Sequence, residues 1–543
     1  MNVNKEIRFQ LFDFYTENMY EKMAEEDESF TNPDEDNDSE EEDSDDENSD
    51  DESRGDNKKG KWGGSFNRKY KIYLFGRDEE NKTVCVQVNN FTPYYYIRLP
   101  EEWDNNMIIG FRKWIIDNLD ERSRDGFIGY RVLHRKVLYG FTNEKRFPFI
   151  KLIFNNTQTM RKTIELFIRR SGEGELEQQS YKSYQGIELQ RYCNDIEPER
   201  IYEFQPFESN VDPLLRFIHL QNINPCKWVK IPAGQYINNR LSTSQVSISC
   251  NWNSVQFFDC NRNQGFVICS FDIETESSHG DFPLARKTYL KIARDWVEYW
   301  TNLNKEFAKL KTTANRNEDR FKIVSEMRNN VSDTLFRYLF DSFYGDFDPE
   351  RQNEVNGHAG VYHIFVKEGE ELPNEKTIRS VAKKLEKLAS VVYDATNMKD
   401  KKTYIDKMTE KMDKFFPPII GDSVRQIGVK MIRYGEKEAY KNIMLTYGTC
   451  APVKDTRIIE NRTEEELLLN FTRMINQLDP DFIIGYNIFN FDFDFIYTRA
   501  EELGITNEFC KLGRLKDKLS IMTEKKGKVK TKYLEIIGRI QID

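Results

Sequence analysis

Between Glu25 and Glu52 the chain places 18 Asp or Glu residues and not one Lys or Arg. A segment so charged and so poor in apolar side chains cannot bury enough surface to offset the entropy of ordering it. The fold must therefore be assembled from the sequence on either side, and residues 25–64 are expected to form a disordered acidic insertion. Two readings of that run stay open: a polyanion that competes with nucleic acid or recruits a basic partner, or a solvating insertion with no specific role, as charge runs usually are. The run also masks the character of the rest. The formal charge of -11, relieved of those 18 acids, leaves the remaining chain at +7, a balance that permits contact with phosphate backbones.

A chain of 543 residues exceeds a single core and predicts several domains. No apolar run is long enough to span a membrane, and the opening MNVNKEIRFQLFDFY mixes charge with apolar residues, unlike a signal-peptide core. Neither secretion nor a membrane partner is expected. The eight cysteines form no CxxC pair and the five histidines are scattered, so no zinc site of ordinary spacing is readable and reduced thiols fit best.

Local patterns divide the chain further. RFQLFDFY, YKIYLFGRD and TVCVQVNNFTPYYYIRLP are rich in aromatic and β-branched residues and read as antiparallel strands. Apolar residues recur at helical spacing over 105–119 and 157–170, which makes the first region an α+β domain over 1–24 and 65–260. Residues 286–415 carry long amphipathic patterns and read as an inserted helical element, with Trp296, Tyr299 and Trp300 as a helix-packing stripe in preference to a base-stacking platform. Residues 511–532 hold nine Lys or Arg against Asp517 and Glu524, either a loop or hairpin touching phosphates or an ordinary solvated face.

The sharpest local signal is GFVICSFDIE at 265–274. Strand side chains alternate, so Asp272 and Glu274 share one face while Ile273 takes the other. Two carboxylates held together are costly without a cation, and hard oxygen ligands suit Mg²⁺ or Mn²⁺. A second acidic region follows. Thr463 and Glu466 form a capping box, Leu467, Leu468, Phe471, Met474, Ile475 and Leu478 stripe the ensuing helix, and Asp479 with Pro480 ends it. DFIIGYNIFNFDFDFIYTRA then reads as a short strand through Ile484, a turn at Gly485, and a helix carrying Asp492 and Asp494. A helix between strands brings its acids toward neighbouring strand ends, so Asp492 can approach the first pair.

SFDIET at 270–275 resembles the first exonuclease motif of family B DNA polymerases, and IIGYNIFNFD at 483–492 resembles the second. HGDFP at 279–283 and DSVRQIG at 422–428 are similar to family segments that follow one another closely, in keeping with an insertion between them. YKIYLFGRD, FTPYYYIRLP, FESNVDPLLRF and CKWVKIPAGQY resemble the family's amino-terminal segments, closest to the delta-type enzymes of eukaryotes and large DNA viruses. The resemblance implies a ribonuclease H-like 3′-to-5′ exonuclease domain over 261–543, interrupted by the 286–415 insertion, behind the α+β domain. It further implies that Asp272, Glu274 and Asp492 ligate two Mg²⁺ (or Mn²⁺) ions roughly 4 Å apart. Phe271, Thr275, Asn487 and Phe491 would shape the site around a frayed strand, with Lys525, Lys526, Lys528 and Lys530 as candidate phosphate contacts. Implied partners are primer-template DNA with a single-stranded 3′ end, a remaining polymerase polypeptide and a sliding clamp, in a cytoplasmic viral factory or a host nucleus.

The family's third exonuclease motif, a Tyr followed four residues later by an Asp, is not visible: four residues before Asp543 stands Arg539. The palm carboxylates of nucleotide addition are not visible either. The expectation is an amino-terminal part of a polymerase, truncated before the palm. The alternatives are a stand-alone nuclease borrowing a ligand from His279 or Asp281, and a noncatalytic DNA-binding or assembly module.

Overall fold

The computed structural model describes residues 5–20, 68–137, 140–168, 184–193, 200–277, 282–313, 317–345, 363–391, 398–525 and 530–543. The acidic run, His279, Asp281, Lys526 and Lys528 lie outside the described residues. The architecture is mixed α and β, in two compact units that divide after Arg262, with Leu241–Thr243 joining the second. Among the described residues no helix is long and apolar enough to cross a membrane, and all eight cysteines are free.

The first unit is built on a seven-stranded sheet whose centre is the antiparallel pair Ile7–Tyr20 and Arg68–Asp78. Their pairing continues to Tyr20↔Arg68, so the chain leaves and re-enters the sheet at one point around the acidic run. Phe9, Leu11, Ile72, Leu74, Val84, Val86 and Val88 are fully buried there. Thr83–Asn89 is buried on both faces over most of its length. A second sheet orders the strands Phe127–Lys136, Arg146–Phe154, Tyr94–Arg98 and Pro206–Phe207. The helices Asn105–Asn118 and Thr157–Glu165 pack on one of its faces; the second is shorter than its apolar spacing suggested.

The second unit holds two cores. The helices Leu290–Thr312, Glu318–Asn329, Val331–Tyr344, Glu375–Val391 and Met398–Phe415 enclose one of their own, in which Trp296 and Trp300 are buried. This block departs from and returns to the sheet at one place. Leu284 N–H donates to the Asp422 carboxylate at 2.8 Å, Asp422 N–H returns to the Leu284 carbonyl at 2.9 Å, and Lys287 pairs with Asp422 at 2.6 Å, both side chains buried.

The other core lies under a six-stranded sheet in the order Arg457–Asn461, Lys441–Tyr447, Ser423–Arg433, Val267–Glu276, Phe482–Ile484, Ile540–Ile542. On one side of Val267–Glu276 the strands Ser423–Arg433 and Lys441–Tyr447 continue it as an antiparallel meander to which Arg457–Asn461 adds a parallel edge, while Phe482–Ile484 and Ile540–Ile542 are parallel additions on its other side. The helices Glu464–Leu478 and Phe493–Glu502 cover the apolar face with Leu467, Leu468, Phe471, Phe493 and Ile496. Thr463 caps the first of these by accepting from Glu466 N–H at 3.1 Å, but the Glu466 carboxylate turns back to Arg462 N–H, one residue before the usual capping-box donor. Asp479 closes it in the left-handed conformation at φ 46°.

Candidate functional site

The central strand Val267–Glu276 alternates as its sequence suggests: Cys269, Phe271 and Ile273 are buried, Asp272 and Glu274 exposed. Its far edge is only partly used. Phe482–Ile484 pairs with Ile268 to Ser270 and no further, so the backbone beyond Ser270 needs another partner. Asp492 supplies it, accepting from Ile273 N–H at 3.1 Å. The carboxylate thereby sits at the strand edge between the two residues that carry Asp272 and Glu274.

Three local devices put Asp492 there. Gly485 leaves the short strand so close to its neighbour that a Cβ would lie 2.9 Å from the Phe271 carbonyl oxygen. Asn487 then turns the chain in the left-handed region at φ 57°, which Asn tolerates better than most residues. Ile488–Asp492 forms a single π-helical turn before the α-helix Phe493–Glu502 begins, so Asp492 precedes the helix that its sequence appeared to place it in, while Asp494 lies inside. The extra residue of a π turn re-aims a side chain, a usual reason for such turns at functional positions.

Asp492 is 1 % exposed. Burial, with the nearby charges of Asp272 and Asp543, pushes its carboxyl up to about 6, against the opposing effect of the Ile273 hydrogen bond. Asp543 was set aside on motif grounds, yet it accepts from Phe489 N–H at 3.4 Å and lines the same open cavity of about 830 Å³ as Asp272, Gly485 and Tyr486. The signal that could have found it is the strand RIQID, which like SFDIE ends in acid; parallel pairing of Ile484 with Ile542 brings that end alongside.

The remaining candidates divide. Phe271, expected to shape the site, has its ring in the core against Phe471 and Phe493 at 5.4 and 5.0 Å, on the face opposite both carboxylates. Thr275 follows a register shift after Glu274 and is half-buried. Asn487 is exposed, and Phe491 is half-buried with Phe282 and Phe495 each 5.8 Å away. In the basic stretch, Ile521–Lys525 and Thr531–Glu535 form a hairpin fastened beside the π turn, with Lys532 Nζ 3.0 Å from Asp494 and Lys532 N–H 3.2 Å from Asn490 Oδ1. Lys525 lies 4.9 Å over the Tyr533 ring and Lys530 pairs with Glu524 at 3.1 Å. Arg514, counted in the same basic stretch, is not a surface group: it is fully buried against Asp479 and Asp481.

The donor set suits a hard divalent cation. Asp272, Glu274 and Asp492 offer only carboxylate oxygens, and the Asp492 carboxyl, raised first by burial and then by the charge of Asp272, is one whose ionised form a bound cation would favour. As their side chains stand, no three His, Cys, Asp or Glu among the described residues are grouped tightly enough to enclose an ion.

Comparison with known proteins adds a family. The model described as DNA polymerase family B, exonuclease domain, matches residues 204–330 and 380–543. The DNA polymerase of Pyramimonas orientalis virus is 28% identical over 511 residues, a match covering 88% of this chain and 38% of that protein. The DNA polymerase of Phaeocystis pouchetii virus is 26% identical over 529 residues, covering 88% and 49%. The DNA polymerase delta catalytic subunit of Schizosaccharomyces pombe is 21% identical over 486 residues, covering 87% and 30%. The chain thus spans less than half the length of each of these relatives.

Proposed function

The chain belongs to the family B DNA polymerases, whose exonuclease domain it carries, and on that premise we propose that it is the amino-terminal and proofreading part of a DNA-directed DNA polymerase of replication, removing nucleotides from 3′ ends. The proposal confines this chain to excision and leaves nucleotide addition to other polypeptide sequence. The observation that supports it best is the Asp492–Ile273 hydrogen bond, which fastens a carboxylate from a distant segment between Asp272 and Glu274.

Asp272, Glu274 and Asp492 would hold two Mg²⁺ or Mn²⁺ ions in a ribonuclease H-like site. When bound, such ions supply Lewis-acid charge to a scissile phosphate and favour attack by water. The chain's own residues do the positioning. Phe271 anchors the carboxylate strand from the core side, and Ile273 N–H holds Asp492 in one orientation. Asn487 and Phe491 border the place where a single-stranded end would lie, and the Lys525 and Lys530 hairpin offers charge to its phosphates. Selectivity would come from fraying, since a mispaired end unstacks at lower cost and reaches a single-strand site more often.

The test is Mg²⁺-dependent excision of a 3′ mismatch by a polymerase reconstituted with this chain. Asp272→Ala, Glu274→Ala and Asp492→Ala should each abolish it while leaving DNA binding and the fold intact. Undiminished excision in the Asp272 and Asp492 variants would remove these residues from the mechanism. DNA binding with no turnover by any form of the enzyme would favour a noncatalytic module.

A further inference from the structure

Three cationic side chains meet at one edge of the six-stranded sheet. Directly paired residues share a face, so the row Phe271, Val429, Ile443, Arg457 crosses the sheet on its helix-covered side. Phe271, Val429 and Ile443 are buried in the core, while Arg457, on the edge strand, is exposed where that core runs out. Lys441 stands opposite the buried Met431 and so on the same side. Strand geometry puts it about 8 Å from Arg457 at Cα. Arg473 comes to the same place from the helix Glu464–Leu478. All three line a cavity of about 440 Å³ whose apolar wall includes Ile443, Ile459 and Met474. Asp272 and Glu274 project from the opposite face of the sheet.

These cations are positioned without being neutralised. Asn461, 3 % exposed, donates to the Thr446 carbonyl at 3.0 Å and accepts from Asn470 Nδ2; Asn470 Oδ1 in turn accepts from Arg473 Nη1 at 2.9 Å. This relay of neutral amides holds one prong of the guanidinium fork and leaves its full charge and its other donors for another partner. Among the described residues no ion pair joins Lys441, Arg457 or Arg473 to a carboxylate, not even to Asp455 in the same lining. Like charges gathered in this way lower stability unless an anion docks among them. The cavity also holds an acceptor with nothing to accept from. Asn442 Nδ2 donates to the Asp455 carbonyl at 3.1 Å, which sets the orientation of the amide and leaves its Oδ1 buried without a hydrogen-bond partner.

We propose that this cavity binds a nucleoside monophosphate, at a site separate from the carboxylate centre and independent of its reading as a nuclease. A phosphomonoester carries about two negative charges near neutral pH and offers three strong acceptor oxygens to Lys441, Arg457 and Arg473. The nucleobase lies against the apolar wall and turns an N–H edge to Asn442 Oδ1, a donor that every common base possesses. A cavity of about 440 Å³ has the size of a small-molecule site, and its few polar groups converge on a mostly apolar interior in the manner of one.

Titration calorimetry of the full chain with dTMP tests this in EDTA, where the uncompensated carboxylates of the acidic centre repel phosphate. dTMP should bind about tenfold or more tightly than either thymidine or inorganic phosphate, each of which keeps only part of the contacts. dTMP methylated at N3 has no proton for Asn442 and should bind about tenfold more weakly than dTMP. Arg457→Gln and Arg473→Gln should each weaken dTMP binding about tenfold, with a melting temperature that is unchanged or higher because like-charge repulsion is relieved. Asp272→Ala, on the other face, should alter dTMP affinity by no more than about twofold. Inorganic phosphate or the N3-methyl nucleotide binding as tightly as dTMP would overturn the proposal, as would undiminished binding or a lowered melting temperature in both arginine variants. Loss of dTMP binding in Asp272→Ala would move the nucleotide to the acidic centre and overturn it equally.

Discussion

Ile273 and Asp492 are separated by 219 positions in the chain and joined by one hydrogen bond, the Ile273 N–H donating to Asp492 Oδ1 at 3.1 Å. That bond makes Asp492 both an edge cap for a strand and a member of an acidic site, and its two duties separate by substitution. Asp492→Asn keeps an acceptor for Ile273 and removes the charge; Asp492→Ala removes both. Both variants should lose excision by about 100-fold or more. Only the alanine variant should also lose about 1–3 kcal/mol of stability, by orphaning a buried N–H. Thermal melting beside mismatch excision reads the two effects apart; equal stability of the two variants would deny the capping role.

The raised Asp492 carboxyl sets a pH dependence for the cation-free protein. The folded state holds this proton up to about 6, whereas an unfolded Asp releases it near 3.9. The folded state therefore binds more protons between those values, and this contribution to stability is largest below the unfolded pKa and lost as pH rises through the window. In chelator, wild type should lose about 1–3 kcal/mol relative to Asp492→Asn between pH 4 and pH 7. Parallel pH–stability curves for the two proteins would refute the shift. Adding Mg²⁺ at pH 7.5 should raise the melting temperature of wild type more than that of the variant.

At the other end of the same strand, Val267 N–H donates to Asp481 at 2.8 Å and Arg514 pairs with Asp481 at 2.8 Å, both ionic side chains fully buried. Asp481→Ala leaves a buried guanidinium short of one partner and should cost about 3–5 kcal/mol. Denaturant unfolding measures it. A loss below 1 kcal/mol would mean that Asp479 alone compensates Arg514.

Lys525 and Lys530 lie on a hairpin tied by Lys532 to Asp494, two positions after Asp492. Lys525→Gln with Lys530→Gln should lower the salt slope of primer-end binding by about 0.7 per lysine if both touch single-strand phosphates. An unchanged slope would return them to the solvated-face reading.

The helical block with its own core begins and ends at the Leu284–Asp422 contacts. Replacing residues 288–420 with a short Gly/Ser linker keeps Lys287 and Asp422 and should leave the six-stranded sheet cooperatively folded. Loss of the folded sheet would show that the block supports it.

Part of this arrangement was legible from local periodicity. A strand has period two, so Asp272 and Glu274 were bound to share a face, and the same parity turns Phe271 into the core despite its place beside an acidic motif. The Thr463 cap and the apolar stripe of Glu464–Leu478 follow from a period of 3.6 in the same way. The burial of Arg514 was not legible: it stands in a stretch otherwise rich in lysine, and its partners Asp479 and Asp481 lie more than thirty positions earlier.

Sequence alone determined which side of each strand and helix is apolar, where turns interrupt them, and which acids stand in pairs, because those depend on neighbours a few residues away. Where Phe482–Ile484 stops pairing, and hence which backbone N–H is left for Asp492, was decided only in three dimensions. Register between strands hundreds of residues apart is set by the shared packing of the whole sheet, and no local pattern encodes it.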